Sequence, residues 1–92
     1  MSRRIIVSGG ARGIGRSLVR NFLEGGNSVY IFDIDEKELD YTTQTHLKQY
    51  SDDGKLAASI CNLRDANDIR EKVKKAAEFH GGRIDVLINC GK

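Results

Sequence analysis

Three glycines at a fixed spacing, Gly9, Gly13 and Gly15, separate an apolar run from a helical pattern in the stretch IIVSGGARGIGRSLV. A strand that enters a glycine-rich turn and then a helix creates an anion site. The first backbone N–H groups of the helix have no intrahelical partners and point at the ligand. Glycine serves both the turn and the close approach, so the loop suits a pyrophosphate. The spacing is Gly-x-x-x-Gly-x-Gly, and G-x-G-x-x-G cannot be drawn through these residues. Taken alone, the loop also fits a tight strand-to-helix turn that holds no ligand.

A carboxylate supplies a second part of the same chemistry. The run VYIFDID carries Asp33, eighteen residues after Gly15, where dinucleotide-binding folds place an acid on the adenosine ribose. Such an acid accepts from both ribose hydroxyls and repels a 2′-phosphate, so NAD is favoured over NADP. Asp33 could instead open the next turn, and Asp35 could share its task. Arg12 argues for NADP, since a guanidinium in the loop would pair with a 2′-phosphate if it pointed inward. Asp33 carries more weight.

These residues need a scaffold, and four short apolar runs alternating with three longer amphipathic segments supply one. The runs RIIVS, SVYIF, LAASIC and DVLIN read as strands, nearly continuous in apolar residues, as expected of strands covered on both faces. Between the first two, Ile14, Leu18, Val19, Phe22 and Leu23 recur at helical spacing and Gly25-Gly26 closes the helix. Leu39, Thr43, Leu47 and Tyr50 predict a second helix, weakened by threonines at 42, 43 and 45. Asp65 is the expected N-cap of a third, with Ile69, Val73, Ala76 and Ala77 buried and Gly81-Gly82 at its end. The order β-α-β-α-β-α-β predicts an α/β fold, a Rossmann-like doubly wound parallel sheet, partial, with strand order 3-2-1-4. The expectation is one incomplete dinucleotide-binding domain over residues 1–92.

Beyond this pattern, the chain resembles the short-chain dehydrogenase/reductase family, whose first loop has the form Thr-Gly-x-x-x-Gly-x-Gly. Here the loop reads Ser8-Gly9-Gly10-Ala11-Arg12-Gly13-Ile14-Gly15, and serine keeps the hydroxyl of the family's threonine. CNLRD is similar to the family's Asp-Val-x-Asp adenine segment. RIDVLINCGK is similar to its Asp-Val-Leu-Val-Asn-Asn-Ala-Gly strand, with Cys90 in place of the second asparagine and Gly91-Lys92 in place of Ala-Gly. The resemblance implies that Ser8, Gly9, Arg12, Gly13, Ile14 and Gly15 belong to the pyrophosphate loop and that Asp33 holds the ribose. It also implies that Asn62 and Leu63 lie at the adenine, and that Asn89 matches the family's first asparagine.

The family's chemistry is hydride transfer between a nicotinamide and a carbinol or carbonyl carbon, helped by a Tyr-x-x-x-Lys pair and a serine. A general acid or base is needed because a bare alkoxide is too costly. Four residues after Tyr30, Tyr41 and Tyr50 stand Ile34, Thr45 and Gly54, so no such pair exists and no catalytic residue is assigned. The catalytic segment and the usual subunit interface would lie beyond Lys92, which leaves homo-oligomers conditional on that half. The 92-residue chain alone is expected to be inactive, marginally stable and open at its fourth strand. Two alternatives remain: a non-catalytic dinucleotide-binding module, and a fragment that pairs its open edge with a longer homologue.

Composition narrows the partners. Fifteen Lys and Arg against 13 Asp and Glu give a net charge of +2, too little for a nucleic-acid surface. Neither a signal peptide nor a membrane span is expected, and a reducing, cytoplasmic setting fits the two separated cysteines. In the predicted order Cys61 and Cys90 would lie about 14 Å apart, beyond disulfide reach. They read as small buried fillers at strand ends. His46 and His80 read as surface or core residues, and no metal site is expected.

Overall fold

The protein was analysed as a computed structural model that describes residues 2–11 and 13–90; Arg12 and Lys92, both weighed above, lie outside the described residues. Four strands, β1 (Arg4–Ser8), β2 (Ser28–Asp33), β3 (Leu56–Ile60) and β4 (Val86–Asn89), form one sheet in the order β3-β2-β1-β4. Every pairing is parallel. The register sets Ser8 opposite Phe32 and Asn89, and Asp33 opposite Ile60. The expected site residues at the ends of β1, β2 and β4 therefore share one edge of the sheet.

Side-chain alternation along the strands divides the core into two layers. Ile5, Val7, Val29, Ile31 and Leu56 pack with Ala11, with Val19 and Leu23 of α1 (Gly13–Glu24), and with Leu39 and Leu47 from the segment after β2. On the other face Ile6, Tyr30, Phe32 and Cys61 pack with Ala76 of α4 (Ala66–Phe79). Each large apolar side chain fully buried here contributes about 1.5–3 kcal/mol. Both cysteines are free. Cys61 packs in the second layer and Cys90 against the first, so they lie on opposite faces. Burial pushes the Cys61 thiol up, which disfavours its thiolate.

The ends of α1 and α4 follow their predicted signals. Gly26 takes φ 88° after α1, and Asp65 caps α4 by accepting from the N–H groups of Asn67 and Asp68 at 2.9 and 3.3 Å. Gly81 and Gly82, at φ 76° and 92°, end it.

The second predicted helix breaks into three pieces: α2 (Glu36–Tyr41), a π turn (Thr42–His46) and α3 (Lys48–Asp52). The threonines cause the break through their hydroxyls as well as their β-branching. Thr43 Oγ1 donates back to the Leu39 carbonyl at 2.9 Å, Thr42 Oγ1 donates away from the helix, and the Leu47 N–H reaches back to Thr42 O at 2.8 Å. Two-sided coverage holds for β1 and β2 but not elsewhere. β4 alternates between half-buried and exposed residues, and Leu87 is 66% exposed.

Candidate functional site

β1 delivers the chain to Gly9, whose N–H donates to Phe32 O at 2.7 Å while its φ of 73° starts the turn. α1 begins four residues later, directly against that turn. A Cβ on Gly15 would stand 2.1 Å from the Gly9 carbonyl oxygen, so only glycine lets the helix start so close. Gly13 differs: it needs its left-handed φ of 60°, and nothing lies within 4 Å of where its Cβ would be. Gly13 is also the first residue of α1, a helix whose first N–H groups lack intrahelical partners. Ile14 beside it is 80% exposed. Gly10, unassigned from sequence, is a core residue, since a Cβ there would meet Ile31, Val19 and Val7 at 3.0–3.1 Å.

Asp33 sits at the end of β2 beside this loop, only 8% exposed. Its Oδ2 accepts from the Ala11 N–H at 3.2 Å and its Oδ1 from the Asp35 N–H at 3.1 Å. The acid therefore fastens the loop, a task the sequence pattern does not reveal. Asp35 instead caps α2 by accepting from the Glu38 N–H at 3.2 Å.

The other end of the Ala11 residue is held as firmly. Its carbonyl accepts from Arg16 Nε at 2.8 Å, from Arg16 Nη2 at 2.5 Å and from Thr42 Oγ1 at 2.8 Å. Arg16 also donates to Thr42 Oγ1 at 3.0 Å and pairs with Glu38 at 2.5 Å, with its guanidinium carbon 4.9 Å from the centre of the Tyr41 ring. Sequence reasoning missed this cluster. Its one trace was the threonine run that spoils the second helix.

Two further corners complete the edge. The Cys61 N–H extends the β2–β3 ladder to Asp33 O at 2.9 Å, which brings Asn62 and Leu63 out near Asp33. Asn62 Oδ1 accepts from the Arg64 N–H at 3.0 Å, and its own N–H donates to Asp68 at 2.7 Å. The Lys72 ammonium and the Asn62 N–H hold the Asp68 carboxyl below its ordinary range. Leu63 and Ile34, 38% and 64% exposed, give this corner an apolar surface. Across β1, Ser8 Oγ donates to Asn89 Oδ1 at 2.9 Å, so two residues expected at the site from separate motifs bond each other.

Among the described residues no cluster of His, Cys, Asp or Glu could hold a metal ion, and no helix is long and apolar enough to cross a membrane. His80 is a core residue, 3% exposed, and His46 stacks on Tyr41.

Comparison with known proteins gives the arrangement a context. A family profile described as short chain dehydrogenase matches residues 3–91. The sex determination protein tasselseed-2 of Zea mays is 38% identical over 84 residues, covering 91% of this chain and 23% of that protein. The 3alpha-hydroxysteroid dehydrogenase of Mediterraneibacter gnavus is 30% identical over 91% of this chain and 33% of its own length. The solved structure of an apo SCOR enzyme from Clostridium thermocellum superposes with a TM-score of 0.80 at 33% identity, over 95% of this chain and 32% of that one. The chain thus spans about a quarter to a third of the curated relatives it matches.

Proposed function

The chain belongs to the short chain dehydrogenase family, and from that premise we propose that it is the dinucleotide-binding portion of an NAD(P)-dependent oxidoreductase, with NAD preferred. Members of the family bind NAD(P). The observation that carries the reading is the contrast between Gly15, where a side chain would strike the loop backbone, and Gly13, where it would enter open space. The loop thus joins a backbone-to-backbone close approach at Gly15 to an uncrowded left-handed glycine at the helix start, an arrangement suited to a pyrophosphate.

In this reading Gly9, Gly13 and Gly15 shape the loop, the Ile14 backbone donates to the phosphates, and Ser8 and Asn89 lock β1 to β4 at the nicotinamide side. Asn62 and Leu63 border the adenine. The dinucleotide, when bound, would supply a hydride donor or acceptor at its nicotinamide. The tyrosine and lysine that would move the proton have no counterpart in this sequence, so substrate chemistry is not assigned to any residue here. A non-catalytic binding module remains the alternative.

Asp33 sets the cofactor preference. A carboxylate offers about four acceptor sites, and the Ala11 and Asp35 N–H groups engage it without exhausting them. Asp33→Ala removes ribose recognition and the loop tie together, so both cofactors should weaken, NADH more than NADPH. Fluorescence titration of each cofactor is expected to lower the NADH-to-NADPH affinity ratio about tenfold, the value of one charge-assisted hydrogen bond. An unchanged ratio would remove Asp33 from the assignment.

A further inference from the structure

We propose that Thr42 and Arg16 are positioning residues that hold the glycine loop in its binding-competent shape through the Ala11 carbonyl, a role that rests on the dinucleotide reading of that loop. Ala11 is fully buried, and both of its backbone polar groups are tied. Its N–H is fixed by Asp33, and its carbonyl by three donors from two elements. The residue lies two positions before Gly13 and follows the Gly9–Gly10 turn. Any rotation of its peptides swings the start of α1 and the N–H groups expected to meet the phosphates.

Neither side chain is placed to touch the ligand. Thr42 is 0% exposed, at the first position of the π turn. Arg16 Nε and Nη2 are engaged by Ala11, Thr42 and Glu38, and the paired Glu38 carboxylate offsets the charge. π turns inserted into helices are frequent at functional sites. Here the turn sets a helix hydroxyl under a loop from another part of the chain, 31 residues away in sequence.

The distinguishing test uses the intact protein and two readouts, NADH affinity by titration and amide hydrogen exchange over residues 9–15. Thr42→Val keeps the branched shape and removes the hydroxyl. It should weaken NADH binding about tenfold and speed exchange in the loop, whereas Thr42→Ser restores both to within about twofold of the parent. Arg16→Lys should cost about fivefold. Combined with Thr42→Val it should cost less than the product of the two, because both act on one oxygen. If Thr42→Val does not fold, Arg16→Lys carries the test by the same two readouts. Unchanged affinity in the variants, or equal loss in Thr42→Ser and Thr42→Val, overturns the positioning role while the dinucleotide reading stands. Failure of the parent protein to bind NADH at about 1 mM overturns the reading and the role together.

Discussion

The two halves of the sheet edge are built differently. Around the β1–α1 turn the fixing contacts are buried or part-buried and converge on one residue: Asp33 on the Ala11 N–H and Arg16 and Thr42 on its carbonyl, with the Gly9 N–H bonded to β2. Beyond the end of β3, in the Asn62–Asp68 turn, they are exposed: the Arg64 N–H donates to Asn62 Oδ1 and the Asn62 N–H to Asp68. Buried ties in a low dielectric are harder to break and costlier to leave unmade. The β1–α1 loop is thus preformed and the Asn62–Asp68 turn has room to adjust; in the proposed reading these border the pyrophosphate and the adenine. Preorganisation of the more highly charged part of the ligand's site lowers the ordering cost of binding.

The sharpest break in that contrast comes at the glycines. Gly15→Ala forces a Cβ onto the Gly9 carbonyl oxygen and should cost about 4 kcal/mol or more in stability, abolishing NADH binding. Gly13→Ala meets no atom and pays only for its φ of 60°, about 1 kcal/mol. Its methyl group nevertheless occupies the open space, so NADH affinity should fall far more than stability does. Urea denaturation and NADH titration on both variants check the pair. Equal losses in both measurements at Gly13 would mean that the space is incidental.

Across the sheet a gradient from centre to edge should appear as well. Ile31 on β2 is 0% exposed and Ile60 on β3 is 41% exposed. Ile31→Ala is expected to cost about 3 kcal/mol and Ile60→Ala about 1 kcal/mol or less. Comparable losses would show that the β3 side is as tightly packed as the centre.

What the sequence made legible divides along the same line. Strands announced themselves as apolar runs, and α4 was readable from Asp65 and from Gly81-Gly82, because caps act within a few residues. The loop glycines and Asp33 were readable because a parallel α/β order dictates where they must emerge. The fastening of that loop was not. Thr42 bonds a carbonyl 31 residues away and Asp33 an amide 22 residues away, and no local pattern encodes such partners. The threonine run looked like poor helix propensity, when its hydroxyls were committed elsewhere. The DVLIN run was read with the other strands as covered on both faces, an inference from apolar content that cannot say which neighbours are at hand.

The smallest effect lies at the opposite end of the sheet from the site. His80 Nε2 lies 3.1 Å from the Ile5 carbonyl, which can only accept, so Nε2 carries the proton. Nδ1, 3.2 Å from Ser28 Oγ, then accepts the serine hydroxyl in the neutral ring. Burial pulls the His80 pKa below its ordinary value of about 6.5, the nearby Arg4 charge adds to this, and the Ile5 carbonyl and Asp85 oppose it. The unfolded chain therefore takes up the proton first as the pH falls. Stability is complete above pH ~6.5 and declines below it toward the folded-state pKa. Urea midpoints between pH ~7.5 and ~5.5 should fall for the parent and stay flat for His80→Gln. The carboxyls of Asp68 and Asp85, both held below their ordinary range by bonds to neighbouring donors, titrate further down. A slope that survives His80→Gln in that window would have to come from another group. A slope that disappears places the pH sensitivity in the strand-starting end of the core, apart from the loop that Thr42 and Asp33 hold.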